Sequence, residues 1–83
     1  MPRVEPEELR ARVALRIREL AKKKGIALTR LADEAGVSRA HLWTILNGES
    51  GASIDFLAKL ALVMNIDPAD LVRRPRKPRP VSQ

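Results

Sequence analysis

The 83 residues of this chain are enough for one small domain, which buries only roughly 60% of the surface that its unfolded chain exposes, so a deep active-site cleft is not expected. Because the sequence has no cysteine, no tyrosine and one histidine, it offers no thiolate zinc site and few of the paired groups that catalysis needs, and we expect neither an enzyme nor a bound cofactor or metal. The formal net charge is +6 at pH 7, and residues 73–83 contribute five basic side chains and no acidic one, which favours a polyanionic partner.

The first predicted element is an amphipathic helix that runs from Pro6 to Gly25. Its apolar side chains recur every three or four positions, as one buried face requires: Leu9, Val13, Ile17 and Leu20. Acidic residues in the first turn and lysines in the last turn suit the helix dipole, and Gly25 offers a left-handed end. Residues 10–24 carry seven basic side chains against one acidic one, so we expect a positively charged, solvated outer face.

Two short helices separated by a tight turn come next. The pattern predicts a second helix over about Leu28–Ala35, after which Gly36 permits the positive φ of a sharp turn. Ser38 then caps a third helix from about Arg39 to Leu46, because its hydroxyl can accept from the free amides of the first turn. The sequence therefore predicts a helix, a tight turn and a helix in close succession.

The remaining sequence predicts two further helices and a tail. Ser53 is expected to cap a fourth helix, and Asn65 is expected to close it. The apolar residues expected on its inner face are Ile54, Leu57, Leu60, Ala61 and Met64. The pair Asp67-Pro68 predicts a short fifth helix through Val72. Residues 73–83 contain three prolines and no apolar period, so we expect a flexible basic arm there.

The spacing of small and apolar residues in the second and third helices is that of a helix-turn-helix unit. Ala32 is small where the two helices cross, Gly36 makes the turn, and an apolar seam joins them: Leu31, Ala35, Val37, Leu42 and Ile45. With these positions, LADEAGVSRAHLWTILNG and SIDFLAKLALVMNIDPADL resemble the lambda-repressor and Cro-like helix-turn-helix family over about residues 8–72.

The resemblance implies an all-α, five-helix domain over residues 8–72, between an N-terminal arm at 1–7 and the tail at 73–83. It also implies a transcriptional regulator, often a repressor, that binds double-stranded DNA as a homodimer on a roughly palindromic operator in a bacterium or phage. The sequence start lacks a basic region followed by an apolar run, so we expect a cytoplasmic protein with no membrane association.

The family's DNA contacts can be carried over to matching positions. The resemblance implies base contacts from Arg39, Ala40 and Thr44, of which Arg39 is the best candidate because arginine can donate two hydrogen bonds to guanine O6 and N7. Backbone contacts are expected from a larger set: Ser38, His41, Trp43, Asn47, Thr29, Lys22, Lys23 and Lys24. An alternative role for Trp43 is packing at the edge of the seam, and the alternative for His41 is a position that faces solvent.

The start of the second helix departs from the family pattern. The family often has serine or threonine at the cap and glutamine next, where this chain has Ala27 and Leu28. We therefore expect Thr29 to cap a slightly shorter helix, and the lysines at 22–24 to replace the missing phosphate contact.

The end of the domain offers candidates for a dimer interface. In the family this end pairs two subunits, which implies interface roles for Leu62, Val63, Leu71 and Val72. The alternative is that all four side chains belong to the core.

Two other functions compete with operator binding. One is an antitoxin-type or partner-binding module of the same fold, in which the last two helices bind another protein. The other is a polybasic protein held on RNA or an anionic membrane by its tail. The sequence has one tryptophan, one phenylalanine and no tyrosine, and this shortage of stacking platforms argues against single-stranded RNA.

Overall fold

The computed structural model describes residues 3–75, and its first element is helix α1, Pro6–Lys24. Proline occupies the first helical position, where no backbone amide is required. The helix ends at Gly25, whose φ of 71° is left-handed and whose amide donates to the Lys22 carbonyl at 3.0 Å. The predicted end is therefore confirmed. Leu9 is 39% exposed, however, so its expected place on the buried face is wrong.

The helix-turn-helix unit consists of α2, Leu28–Ala35, and α3, Arg39–Leu46, as the sequence predicts. Gly36 between them has a φ of 72°, the left-handed conformation that only glycine adopts without cost. The predicted role of Thr29 as a cap is wrong, because Ala27 takes the extended N-cap conformation and accepts the first helical hydrogen bond from the Leu31 amide at 2.9 Å. No side chain caps α2.

Helix α4, Ile54–Met64, also has its predicted bounds. The Ser53 hydroxyl accepts from the Phe56 amide at 3.0 Å, and Asn65 ends the helix with a φ of 56°. Asparagine is one of the few residues besides glycine that tolerates this conformation. The local chemistry at both ends therefore fixes the length of α4.

The predicted fifth helix is a short 3₁₀ helix, Pro68–Leu71, so the described residues form four α-helices rather than five. The Asp67 side chain accepts from the Ala69 amide at 2.9 Å, and the amide of Val72 donates to the Ala69 carbonyl. Two arginines of α1 donate hydrogen bonds to carbonyls at this point: Arg16 to that of Asp70 and Arg12 to that of Val72. These side-chain donors satisfy carbonyls at the end of the short helix.

All four α-helices and the 3₁₀ helix contribute to one apolar core. Helix α1 packs against α3 and the 3₁₀ helix, and α2 packs against α4. The buried side chains are Val13, Ala14, Ile17, Leu20, Ala21, Leu31, Ala32, Leu42, Ile45, Leu46, Phe56, Leu60, Ala61, Met64 and Leu71. Helices α2 and α3 each bury one side in this core. Their other sides can therefore face solvent.

The exposure of α4 differs from the prediction at its first residue. Ile54 was expected on the inner face and is 84% exposed, whereas Phe56 is buried. Ile54 is nearly in line with the buried Ala61, seven residues later, but it is the first residue of the helix and its side chain is in solvent. Leu62, which faces away from the core, is 81% exposed.

Two further predictions concern membrane association and the basic arm. Within residues 3–75, no helix combines the length and the apolar character of a membrane-spanning segment. Residues 76–83 of the predicted basic arm lie outside the described part of the chain.

Candidate nucleic-acid interface

The outer side of α3 is open to solvent along its whole length. Leu42, Ile45 and Leu46 hold the helix against the core. The opposite side carries a stripe of exposed residues at helical spacing: Arg39, Ala40, Trp43 and Asn47. Trp43 is 38% exposed, which places it at the edge of the apolar seam with part of its ring in solvent. An eight-residue helix with this exposed stripe can enter a groove of duplex DNA.

The first turn of α3 is fixed by short-range contacts. The Ser38 hydroxyl accepts from the His41 amide at 2.9 Å, which confirms the predicted cap. The exposed His41 ring packs edge-on against Phe56 of α4, with ring centroids 5.1 Å apart. One turn further on, the Thr44 hydroxyl donates to the Ala40 carbonyl at 2.9 Å, so its oxygen and methyl group remain available to a ligand. These contacts hold the outer side of α3 in one orientation.

Arg39, the first residue of α3, forms an ion pair with Asp33 of α2. The arginine Nε donates to one carboxylate oxygen at 3.0 Å, and its Nη2 donates to the other at 2.6 Å. This hydrogen-bonded pair spans the Gly36 turn and lowers the pKa of Asp33 from its ordinary value of 3.8. Both side chains stay more than half exposed, so the arginine is held but not buried.

A second basic surface lies at the end of α1. Lys22, Lys23 and Lys24 occupy the last turn and are exposed. Lys22 and Lys23 also line an open groove with three arginines, Arg16, Arg73 and Arg74, and two acidic residues, Glu19 and Asp70. The excess of cations in this groove gives it a positive potential that attracts polyanions.

The four residues proposed for a dimer interface have different environments. Leu62 is 81% exposed and Val72 is 37% exposed, whereas Leu71 has no exposed surface. Val63 is half-buried against the core. Leu71 is therefore a core residue and does not contribute its side chain to a surface. Leu62 and Ile54, eight residues apart on α4, are both exposed.

Two arginines of α1 have a role that the sequence analysis did not predict. Arg16 Nε donates to the Asp70 carbonyl at 2.7 Å, and Arg12 Nη1 donates to the Val72 carbonyl at 3.3 Å. Their side chains are 14% and 15% exposed, so they are largely covered rather than solvated. They join α1 to the end of the 3₁₀ helix. Their contacts connect residues far apart in the chain, and no local spacing indicates them.

Comparisons with known proteins agree with this geometry. A model of the Cro/C1-type helix-turn-helix DNA-binding domain family matches residues 16–77. The chain belongs to this family. The transcriptional regulator SinR of Bacillus subtilis is 36% identical over 55 residues, which are 65% of this chain and 50% of SinR. The chain thus spans about half the length of this curated relative.

Solved structures of Cro/C1-type domains superpose on the chain. A SinR structure in complex with DNA has a TM-score of 0.69 and 32% identity, and covers 74% of this chain and 98% of that one. The restriction-modification controller protein C.AhdI from Aeromonas hydrophila has a TM-score of 0.70 and 29% identity, and covers 75% of this chain and 94% of that one. Both superpositions cover about three quarters of this chain.

Proposed function

We propose that the chain is a transcriptional regulator that binds double-stranded DNA by placing α3 in the major groove. The exposed stripe on α3 is the observation that carries this proposal. A major groove admits one α-helix, and side chains on its outer side then reach base edges. The family membership and the DNA complex of the similar SinR domain support the same function.

The proposed base contacts come from Arg39, Ala40 and Thr44. The Arg39 guanidinium donates to guanine O6 and N7, a pairing worth roughly 1 to 3 kcal/mol of discrimination. Ala40 and the Thr44 methyl group contact thymine methyl groups. Each of these roles requires only side-chain atoms that face away from the core.

The proposed backbone contacts lie on three helices and the turns next to them. They are made by Ser38, His41, Trp43, Asn47, Thr29, Lys22, Lys23 and Lys24. Phosphate contacts of this kind fix the register of a protein on DNA and supply most of its salt-dependent affinity. The positive groove beside Lys22 and Lys23 extends the same potential towards Arg73 and Arg74.

We further propose that two copies pair through the outer side of α4 and the end of the 3₁₀ helix. Leu62, Val63 and Val72 supply the interface, and the exposed Ile54 enlarges it. A dimer of this kind places two α3 helices about 34 Å apart, one turn of DNA, on a roughly palindromic operator. The exposed Ile54 and Leu62 also support a second candidate function, in which this surface binds a different protein.

Selection of bound sequences from a random DNA duplex pool, at two salt concentrations, tests the proposal. We expect a palindrome that persists at the higher salt, because base contacts are less salt-dependent than phosphate contacts. The Arg39→Ala variant should lose preference at one position in each half-site. Affinity without sequence preference, falling steeply with salt, would instead indicate a polybasic protein held by charge alone.

The lysines can be tested in the same assay. Replacing Lys22, Lys23 and Lys24 with glutamine should leave the selected sequence unchanged. Each lost phosphate contact should reduce the slope of log affinity against log salt by about 1. An unchanged slope would exclude these lysines from the interface. Light scattering and copurification distinguish a homodimer from a complex with another protein.

A further inference from the structure

Asp33 is an acidic residue at a surface where DNA phosphates are proposed to lie. A carboxylate at such a position repels phosphates and weakens binding to every DNA sequence. Its only side-chain partner among the described hydrogen bonds is Arg39, through both carboxylate oxygens. The Asp33 carboxylate therefore restrains the Arg39 guanidinium.

The ion pair leaves one edge of the guanidinium available. Asp33 accepts from Nε and from one N–H of Nη2. The donors of Nη1 and the second N–H of Nη2 lie on the adjoining edge of the same plane and are not used by Asp33. That edge has the fork geometry that matches guanine O6 and N7. Arg39 can therefore contact Asp33 and guanine at the same time.

We propose that Asp33 is a positioning residue that determines specificity by holding the Arg39 guanidinium for guanine. This inference rests on the proposed function, because it requires Arg39 to contact a base. An unrestrained arginine samples many rotamers and also binds phosphates at any sequence. Asp33 reduces this freedom, and its charge disfavours complexes in which Arg39 does not recover a base contact.

The solvent exposure of the Asp33–Arg39 pair explains why we expect its effect in the DNA complex rather than in the free protein. In the free protein both side chains are more than half exposed, and solvent weakens such a pair. In a DNA complex water is displaced, so the attraction between the two groups and the cost of an unpaired carboxylate both increase. Asp33 thus contributes more to the choice of sequence than to the stability of the free chain.

Helix α2 provides a matched control at the neighbouring residue. Glu34 forms an ion pair with Arg30, one turn earlier on the same helix. This pair is also exposed, but neither of its members belongs to α3. Glu34→Gln removes one negative charge from the same helix, as Asp33→Ala does, and it leaves Arg39 paired.

The experiment compares the full chain with Asp33→Ala, Asp33→Asn, Glu34→Gln, Arg39→Ala and the double variant Asp33→Ala with Arg39→Ala. For each protein, affinity is measured for the selected duplex and for the duplex with the Arg39-dependent guanine replaced. Circular dichroism melting checks that the exposed substitutions leave the fold intact.

We expect Asp33→Ala to reduce discrimination for this guanine by about fivefold, out of the roughly 5- to 160-fold that a bidentate arginine supplies. Its affinity for the replaced duplex should rise. Asp33→Asn should fall between Asp33→Ala and the unchanged protein, because an amide oxygen still accepts but carries no charge. Glu34→Gln should raise affinity for both duplexes equally and keep discrimination within about twofold. In the Arg39→Ala background, Asp33→Ala should cause no further loss of discrimination.

The set of variants distinguishes a failure of this inference from a failure of the proposed function. If Arg39→Ala loses discrimination but Asp33→Ala keeps it, Arg39 reads the base and the role of Asp33 is refuted. Equal losses for Asp33→Ala and Glu34→Gln would refute it too, because the effect would then be charge alone. If the unchanged protein selects no sequence, the proposed function itself fails, and the inference fails with it.

Discussion

Helices α3 and α4 begin in the same way and present different chemistry to solvent. Each starts after a serine whose hydroxyl accepts from an amide of the first turn, at Ser38 and Ser53. Each then buries one apolar side in the shared core. The outer side of α3 carries an arginine, small residues and a partly exposed tryptophan. The outer side of α4 carries two large aliphatic residues, Ile54 and Leu62.

This difference shows that helix formation and partner choice depend on separate sets of residues. Caps and inner apolar positions determine where both helices begin and how they pack. The outer residues contribute little to the fold, so their chemistry reflects what each surface contacts. Polar donors suit base edges and phosphates, and large exposed aliphatic residues suit a protein surface.

The largest expected effect comes from placing a charge on the outer side of α4. Leu62→Glu should prevent pairing of two copies, because the interface would bury an unpaired carboxylate. Affinity for a full palindrome should then fall by about 100-fold, since two linked half-sites gain avidity that one lacks. Analytical ultracentrifugation and DNA titration measure both quantities.

Two variants serve as controls for this prediction. Leu62→Lys should also be monomeric, and its charge attracts DNA, so it separates lost pairing from repulsion by phosphates. Lys59→Gln changes an exposed residue of the same helix and should leave pairing intact. A Leu62→Glu protein that remains dimeric would show that α4 is not the interface.

A smaller effect is expected from the arginines that join α1 to the end of the 3₁₀ helix. Arg16→Met removes the 2.7 Å hydrogen bond to the Asp70 carbonyl and should lower the free energy of unfolding by about 1.5 kcal/mol, as expected for a covered bond from a charged donor. The exposed Arg18→Met is the control, with a change within about 0.5 kcal/mol. Urea unfolding measures both. Equal stability of the two variants would contradict the structural role of Arg16.

The smallest effect is the loss of either serine cap. Ser38→Ala and Ser53→Ala should each lower the free energy of unfolding by about 1 kcal/mol, because each leaves an amide of a first turn unpaired. Only Ser38→Ala should also weaken binding to the selected duplex, since the turn that it caps carries Arg39. Denaturant unfolding and DNA titration, at a temperature where both variants are folded, measure this. Matching losses of DNA affinity would remove the distinction between the two helices.

Local chemistry made much of the fold predictable from the sequence. The end of α2 follows from Gly36, the starts of α3 and α4 follow from the two serines, and the end of α4 follows from Asn65. Each of these residues acts within one or two turns. The family resemblance is confirmed by the family model that matches residues 16–77. A short helix at Pro68 follows from Asp67 and Pro68, but its 3₁₀ form does not. Its contacts with Arg12 and Arg16 were not predictable either, because these arginines lie more than fifty residues earlier in the chain.

The candidate site was predictable only in part. The exposed side of α3 follows from the inward spacing of Leu42 and Ile45. The pairing of Arg39 with Asp33 does not, because it depends on how Gly36 directs one helix relative to the other. Ile54 has the spacing of the inner face, three residues before Leu57 and seven before Ala61, but it is the first residue of α4. Periodicity does not show how far the core extends along a helix.

The proposed function depends on the outer side of α3, and not that of α4, meeting DNA. Backbone amide chemical shifts, recorded while the selected duplex is added to the full chain, test this most directly. We predict that the largest changes lie in residues 38–47 and at Lys22, Lys23 and Lys24, and that the amides of Ile54 and Leu62 respond to protein concentration instead. Large DNA-induced changes centred on the outer side of α4, with residues 38–47 unaffected, would contradict the account.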